Sequence, residues 1–289
     1  MINHQMKFNS CLAAAIAVAL FTSPSRAQDG DGPKLNMVHG PTNANLGTIA
    51  QVQLPEGFVL LDGDSTRRLL EASGEPTSGN ELGFLRPTNS PWSVFFAFND
   101  LGYVKDAEKE KLDADKLLKS IKEGTEAANK HRKAAGQPPL IVVGWEQPPK
   151  YNSETHNLEW AVRATSEGEP ILNYNTRLLG RKGAMEVVLV CDPAELKAIL
   201  PEYQKILAAH KFQTGESYAE YKPGDKVAKF GLAALVVGGA AVGAAKLGLF
   251  ATVGLFFKKF FKLIIVGVVA VAAMFKNFFA KILGKRNDQ

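Results

Sequence analysis

Cysteine is almost missing from this chain. Among 289 residues only Cys11 and Cys191 are cysteines, and no CxxC pair or Cys/His cluster is present, so neither a disulfide framework nor a zinc site is expected. The motifs that announce reaction chemistry are missing too: there is no nucleophile elbow, Walker loop, HExxH or paired-carboxylate signature. No catalytic residue, metal or cofactor is therefore expected. A basic stripe is also lacking. The net charge of +5 looks basic, but residues 28–226 hold 23 bases against 28 acids, a net of −5. The positive charge sits at the ends, with Lys7 and Arg26 in residues 1–27 and nine bases against Asp288 alone in residues 227–289. An acidic middle excludes a nucleic-acid binder, and basic ends fit anionic lipid headgroups and cytoplasmic flanks.

What the chain has instead is a long apolar stretch near its end. Phe230 to Phe257 is interrupted by a single charge, Lys246. About 20 apolar residues cross the roughly 30 Å of a bilayer's hydrocarbon, so residues 227–257 read as a transmembrane anchor. The basic knot Lys258-Lys259-Phe260-Phe261-Lys262 follows, opening an amphipathic, membrane-associated tail over 258–289. Its apolar part, Leu263–Phe275, has thirteen residues. That is below the roughly 17 a span needs, so it is expected to lie at the interface. Inside the anchor Gly239 and Gly243 form a GxxxG, which lets helix backbones approach and would favour a homo-oligomer. At the other end, Lys7, the apolar run Cys11–Phe21 and Ser25-Arg26-Ala27 have the layout of a secretory signal peptide over 1–27. Its removal takes Cys11 and leaves Cys191, which closes the run Val187–Val190 as a buried, inert thiol.

Between leader and anchor the pattern is α+β. Residues 28–45, rich in Gly, Asp, Asn and Pro, read as a flexible linker; residues 46–222 read as one extracytoplasmic domain. Strand-like runs fall at Thr48–Leu54, Phe58–Leu61, Leu82–Leu85, Trp92–Phe98 and Leu140–Trp145, the last ending before Pro148-Pro149. Arg67–Ala72 and Asp113–Ala135 read as helices, the second amphipathic and stopped by Gly136. Asn157–Ala164, Ile171–Leu179 and Met185–Cys191 are joined by loops too short for anything but antiparallel neighbours. Asp192-Pro193 opens a last helix reaching about His210, with a possible break at Pro201. The expected fold is a mainly antiparallel sheet with two or three packed helices, followed by the anchor.

Several short stretches occur together in a telling order. They are Leu54-Pro55-Glu56-Gly57-Phe58, Gly102-Tyr103-Val104-Lys105-Asp106, Val143-Gly144-Trp145, and Pro149 through Tyr151, Thr155-His156 and Trp160. Asn173-Tyr174-Asn175-Thr176-Arg177-Leu178-Leu179-Gly180-Arg181 and Tyr218-Ala219-Glu220-Tyr221 complete the set. In this order they resemble the bacterial domain of unknown function 2167 family, over nearly the whole mature chain. Some of its members are labelled membrane-anchored proteins predicted to regulate amylopullulanase. The resemblance implies an extracytoplasmic domain on a membrane anchor and supplies no catalytic residue.

Two groups of residues are candidates for binding. Strand alternation puts Asn173, Asn175 and Arg177 on one face, where two amides and a guanidinium could hydrogen-bond sugar hydroxyls or grip a carboxylate, or simply form a polar solvent face. Trp145, Tyr151, His156 and Trp160 surround the Pro148-Pro149 turn, as stacking surfaces for a ligand or as seals of the core. His156, near Glu154 and Glu159, is the default acid/base candidate, against a surface or turn-capping histidine. The reading is a membrane-anchored, periplasmic binding or regulatory module at the bacterial inner membrane, facing an envelope protein or glycan. The alternatives are an envelope enzyme built around His156 and Arg177, or a structural or stress-response protein acting through its tail. Cleavage after Ala27 is expected, and the intact mass of membrane-extracted protein should correspond to a chain beginning at Gln28; a chain still beginning at Met1 would contradict it.

Overall fold

A computed structural model describes residues 35–72, 77–134 and 138–238. In chain order the strands are β1 (Met37–His39), β2 (Thr42–Leu46), β3 (Ala50–Leu54), β4 (Phe58–Asp62), β5 (Glu81–Pro87), β6 (Ser93–Asn99), β7 (Ile141–Asn152), β8 (Asn157–Ser166), β9 (Glu169–Leu179), β10 (Ala184–Val190) and β11 (His210–Phe212). The helices are α1 (Gly63–Ala72), α2 (Ala114–Ala134), α3 (Leu196–Ala209) and α4 (Leu232–Val237). Eight strands form one antiparallel sheet in the order β1-β4-β5-β6-β10-β9-β8-β7, and β11-β3-β2 form a smaller one.

The large sheet is buried on both faces. On one, Phe84, Phe95, Leu158, Trp160 and Val188 pack under Leu69 and Leu70 of α1, Leu117 and Ile121 of α2, and Leu232 and Leu235 of α4. On the other, Leu60, Leu85, Phe96, Tyr174 and Val187 pack under Leu46, Val52 and Leu54 of the small sheet and Ile199, Tyr203 and Ile206 of α3. A strand covered on both sides loses the inside/outside alternation and reads as a continuous apolar run. β10 is this case, with all seven residues buried. Cys191 follows it, and burial pushes its thiol up to about 12, the inert state expected.

The α+β class and the antiparallel β8–β9–β10 meander agree with the sequence reading. Five expectations are corrected. The supposed linker carries β1 and β2: Val38 pairs opposite Leu60, and Ala44 and Leu46 are buried against β3 and β4. β7 continues past Pro148 and Pro149, which fall at a register irregularity between Gln147 and Lys150 on an edge strand, where a missing N–H is tolerated. α3 is continuous through Pro201, since Pro201 and Lys197 one turn earlier are both exposed and no buried carbonyl is left unbonded. It also starts later than expected, because Asp192 spends its carboxylate on the N–H of Ala194 in a preceding turn.

The fourth correction concerns where the domain ends. It does not stop near residue 222 but continues through α4. Tyr103 pairs with Val227 through two backbone hydrogen bonds, N–H to the Lys226 carbonyl at 2.7 Å and carbonyl to the Ala228 N–H at 2.9 Å. Gly102 makes this approach possible: its φ is +88°, and a Cβ there would lie 2.7 Å from the Lys226 carbonyl oxygen. Arg181 grips Asp225 with two hydrogen bonds of 2.7 Å, which holds that carboxyl down at about 2. The Glu108 carboxylate accepts from the Ala233 N–H, a charged cap on the first turn of α4. The expected leader 1–27, residues 239–257 with Gly239 and Gly243, and the expected tail 258–289 lie outside the described residues. No helix among the described residues is long and apolar enough to cross a membrane.

The face of β9 bearing Asn173, Asn175 and Arg177 is interior, contrary to its reading as a ligand-facing or solvent-facing surface. All three are buried, Arg177 at 3% exposure. Its guanidinium donates to Glu186 at 2.7 Å and lies 4.8 Å from the centre of the Trp160 ring. Glu186 accepts in turn from Asn99 at 3.1 Å. The three residues do share one face, and its burial follows from the helices that cover that face of the sheet. Arg177→Met should therefore destabilise by about 3–5 kcal/mol, as removing one partner of a buried ion pair does, rather than the few tenths of an exposed site. Urea unfolding of the single variant and of Arg177→Met with Glu186→Gln checks this, and the double variant should recover part of the loss.

Candidate functional site

Stretches far apart in the sequence meet at one end of the large sheet. Where β8 begins and β9 ends, the last turns of α3, the strand β11 and the segment 217–219 leave a cleft of about 380 Å³. Its lining includes Thr155 and His156, Asn157 and Glu159, Leu178 and Leu179, Gln204, His210, Phe212, and Ser217 to Ala219. Three of the stretches that carry the family resemblance, Thr155-His156, Leu178-Leu179 and Tyr218-Ala219, thus form walls of one concavity.

The β7–β8 turn sets the position of His156. Asn152 Oδ1 accepts from the N–H groups of Glu154 and Thr155, folding the turn tightly. His156 itself takes φ 54°, and its carbonyl accepts from Leu179 N–H at 3.0 Å. The ring lies tilted on Tyr218 at 4.3 Å between centroids, and Nδ1 is 3.1 Å from the Tyr151 hydroxyl. Tyr151 gives its one hydroxyl proton to Asp106 at 3.1 Å. With that proton spent, its oxygen accepts from His156 Nδ1, an arrangement that in the neutral ring leaves the lone pair on Nε2. Burial, then the Asp106 carboxylate, raise the Tyr151 phenol well above its usual range, so it stays a donor.

Behind His156 an aromatic stack reaches the C-terminal segment. Tyr218 stacks on Tyr103 at 4.5 Å, Tyr103 stacks on Tyr221 at 4.2 Å, and the Tyr218 hydroxyl donates to the Val104 carbonyl. The turn carrying Tyr218 is closed by a capping box in which Glu220 accepts from the Ser217 hydroxyl and N–H. Those donors, with the Gly215 N–H, hold the Glu220 carboxyl down at about 2.

The opposite wall is polar. Glu159 accepts from the Tyr174 hydroxyl at 2.7 Å and from Gln204 Nε2 at 3.2 Å. Tyr174 accepts in turn from Gln147 Nε2 at 3.0 Å; burial, then the bond to Glu159, raise its phenol far above the usual range. His210 caps the end of α3 through its backbone, and its ring packs edge-on against Phe212 at 4.9 Å. Burial pushes its imidazole down to about 4, and its Nε2 is enclosed without a hydrogen-bond partner. Phe212 fits because Gly180 has no side chain: a Cβ there would meet the ring at 3.0 Å.

Of the residues expected to form a site, the cleft takes only His156. Tyr151 supports it from behind. Trp145 is half-buried and donates to the Ala114 carbonyl at 3.1 Å, tying β7 to the start of α2. Asn173, Asn175 and Arg177 face the core under α2, so His156 and Arg177 do not share a cleft. Sequence reasoning missed Gln204, His210 and Ser217, which no local spacing relates to His156. Among the described residues no group of three His, Cys, Asp or Glu could hold a metal ion.

A model of the family described as "Protein of unknown function (DUF2167)" matches residues 38–272. No curated protein matches the chain. Among solved structures, the solution structure of cyanobacterial PsbP (CyanoP) from Synechocystis sp. PCC 6803 is similar at 9% identity with a TM-score of 0.38, covering 66% of this chain and 98% of that one.

His210 gives the site a pH signature. Its folded pKa of about 4 lies below the ordinary 6.5, so between these values the unfolded chain binds the extra proton. Stability is then complete above about pH 6.5 and falls as pH drops towards 4, by on the order of 3 kcal/mol. Denaturant unfolding at pH 7 and pH 4.5 should show this loss in the parent and a smaller one in His210→Phe.

Proposed function

The chain belongs to the DUF2167 family, and on that premise we propose that it is a membrane-tethered module of the bacterial envelope, with its folded domain outside the cytoplasm. The domain presents the cleft beside His156 to an envelope ligand or regulatory partner. The observation that carries this reading is the junction at residues 217–237. The same Tyr218 that walls the cleft stacks on Tyr103, whose backbone pairs with the chain at Lys226 and Ala228. α4, packed into the domain through Leu232 and Leu235, is the start of the long apolar stretch that ends at Phe257. The domain is thus joined to the apolar run without an intervening linker. The leader-like start, the acidic domain and the basic knot at Lys258–Lys262 agree on an outside domain and an inside tail.

The topology is directly testable. Lys222 is exposed, and Lys222→Cys places a thiol within the junction. Cys191 can stay, because it is buried and its thiol is pushed up to about 12, which leaves almost no thiolate to react. A membrane-impermeant maleimide should label Lys222→Cys in spheroplasts with an intact inner membrane, while the parent stays unlabelled. Labelling only after lysis would put the domain in the cytoplasm and end this proposal.

A further inference from the structure

The cleft has a definite chemical bias. Its lining contains no lysine and no arginine. Its one carboxylate, Glu159, already receives two hydrogen bonds, from Tyr174 and Gln204. An anionic ligand would meet that negative charge with no cation to offset it, which disfavours phosphates and carboxylates. A cation is not required either, because two donors already compensate the carboxylate.

The uncommitted groups include several acceptors, beside the Thr155 hydroxyl and the Asn157 amide that also line the cleft. With Nδ1 donating to Tyr151, His156 keeps a lone pair on Nε2 that has no partner among the described residues. Ser217 spends its hydroxyl proton on Glu220, and its oxygen, which takes the Glu220 N–H in the capping box, keeps one lone pair. Glu159 keeps its second carboxylate oxygen, and Gln204 keeps a second amide proton to donate. Between these polar groups lie the apolar Leu178, Leu207 and Phe212. A ligand matching this surface carries several hydroxyls on a compact body with apolar C–H faces and no negative charge.

We propose that the cleft binds a neutral saccharide unit, held by hydroxyls donating to His156 Nε2, Ser217 and Glu159 and accepting from Gln204. A hydroxyl is donor and acceptor at once, so one ring can serve the three acceptors and the amide donor together. A volume of about 380 Å³ lies within the roughly 300–1,000 Å³ of small-molecule sites. This assignment rests on the binding-module reading above and names its ligand class.

Three probes on one ring separate the alternatives: glucose, glucosamine and glucose 6-phosphate, neutral, cationic and anionic near pH 7. Full-length protein in detergent would be titrated with each, binding being followed by saturation transfer to the sugar protons. Glucose should receive transfer, and glucose 6-phosphate little. His156→Phe keeps a ring on Tyr218 but loses Nε2, and should weaken glucose binding at least tenfold. Ala208→Trp, at an exposed position lining the cleft, should abolish it with an unchanged melting temperature. Absence of glucose binding, binding confined to glucosamine, preference for the phosphate, or full binding by Ala208→Trp would each overturn the assignment. The maleimide experiment is independent: labelled Lys222→Cys without sugar binding removes the ligand but keeps the tethered module, whereas labelling only after lysis removes the compartment whatever the sugars do.

Discussion

An eight-stranded sheet whose two faces are both apolar has to be covered twice, and most of this structure follows from that requirement. Leu158 and Trp160 face one way from β8 while Ala161 faces the other; Val188 and Val187 divide in the same manner on β10. One face takes α1, α2 and α4, the other takes the small sheet and α3. Burying a Leu- or Phe-sized side chain contributes about 1.5–3 kcal/mol, so leaving either face open would cost more than any polar contact in the domain returns. The buried ion pair Arg177–Glu186 is a consequence of the same constraint. Once α2 lies over β8, a polar residue on that face must find its partner inside, and Glu186 on the adjacent strand is directly opposite in register.

The cleft lies where the covering elements run out. α3 ends at Ala209, the chain turns at His210, and Ser217–Ala219 comes in from the side without closing the gap over β8 and the end of β9. Three polar side chains at this rim are held by neighbours outside the cleft: His156 by Tyr151, Glu159 by Tyr174, Ser217 by Glu220. Each is fixed from behind and still has capacity in front. A site of this kind is preorganised, since its polar groups need not be reordered to meet a ligand.

The same rim is linked to the end of the domain. The stack Tyr221–Tyr103–Tyr218–His156 runs from the segment before Lys226 to the cleft wall, with Arg181–Asp225 and the Glu108 cap on α4 holding the segment from two further sides. These contacts explain two stretches that looked unrelated in sequence. Gly102-Tyr103 is the strip against which the chain end pairs, and Gly180-Arg181 combines room for Phe212 with the grip on Asp225.

Much of the fold was legible in the residues. Helix α2 showed its apolar spacing, and the β8–β9–β10 meander showed its short loops; both are local signals. β1 was missed because it exists only by pairing with residues far along the chain, Val38 with Leu60, and β2 because a Gly- and Asn-rich stretch hides the strand that closes a hairpin onto β3, Leu46 opposite Ala50. The site was legible only in part. His156 stood out beside aromatics and acids, while Gln204, His210 and Ser217 carry no local mark. The sequence by itself determined which side chains alternate on β9, that Cys191 is inert, and that one acidic α+β domain precedes a long apolar run. Only the tertiary structure decided that the Asn173–Asn175–Arg177 face points inward, that His156 lies in a cleft without Arg177, and that the domain continues through α4. The reason is that burial depends on what covers a strand, and the covering elements here come from elsewhere in the chain.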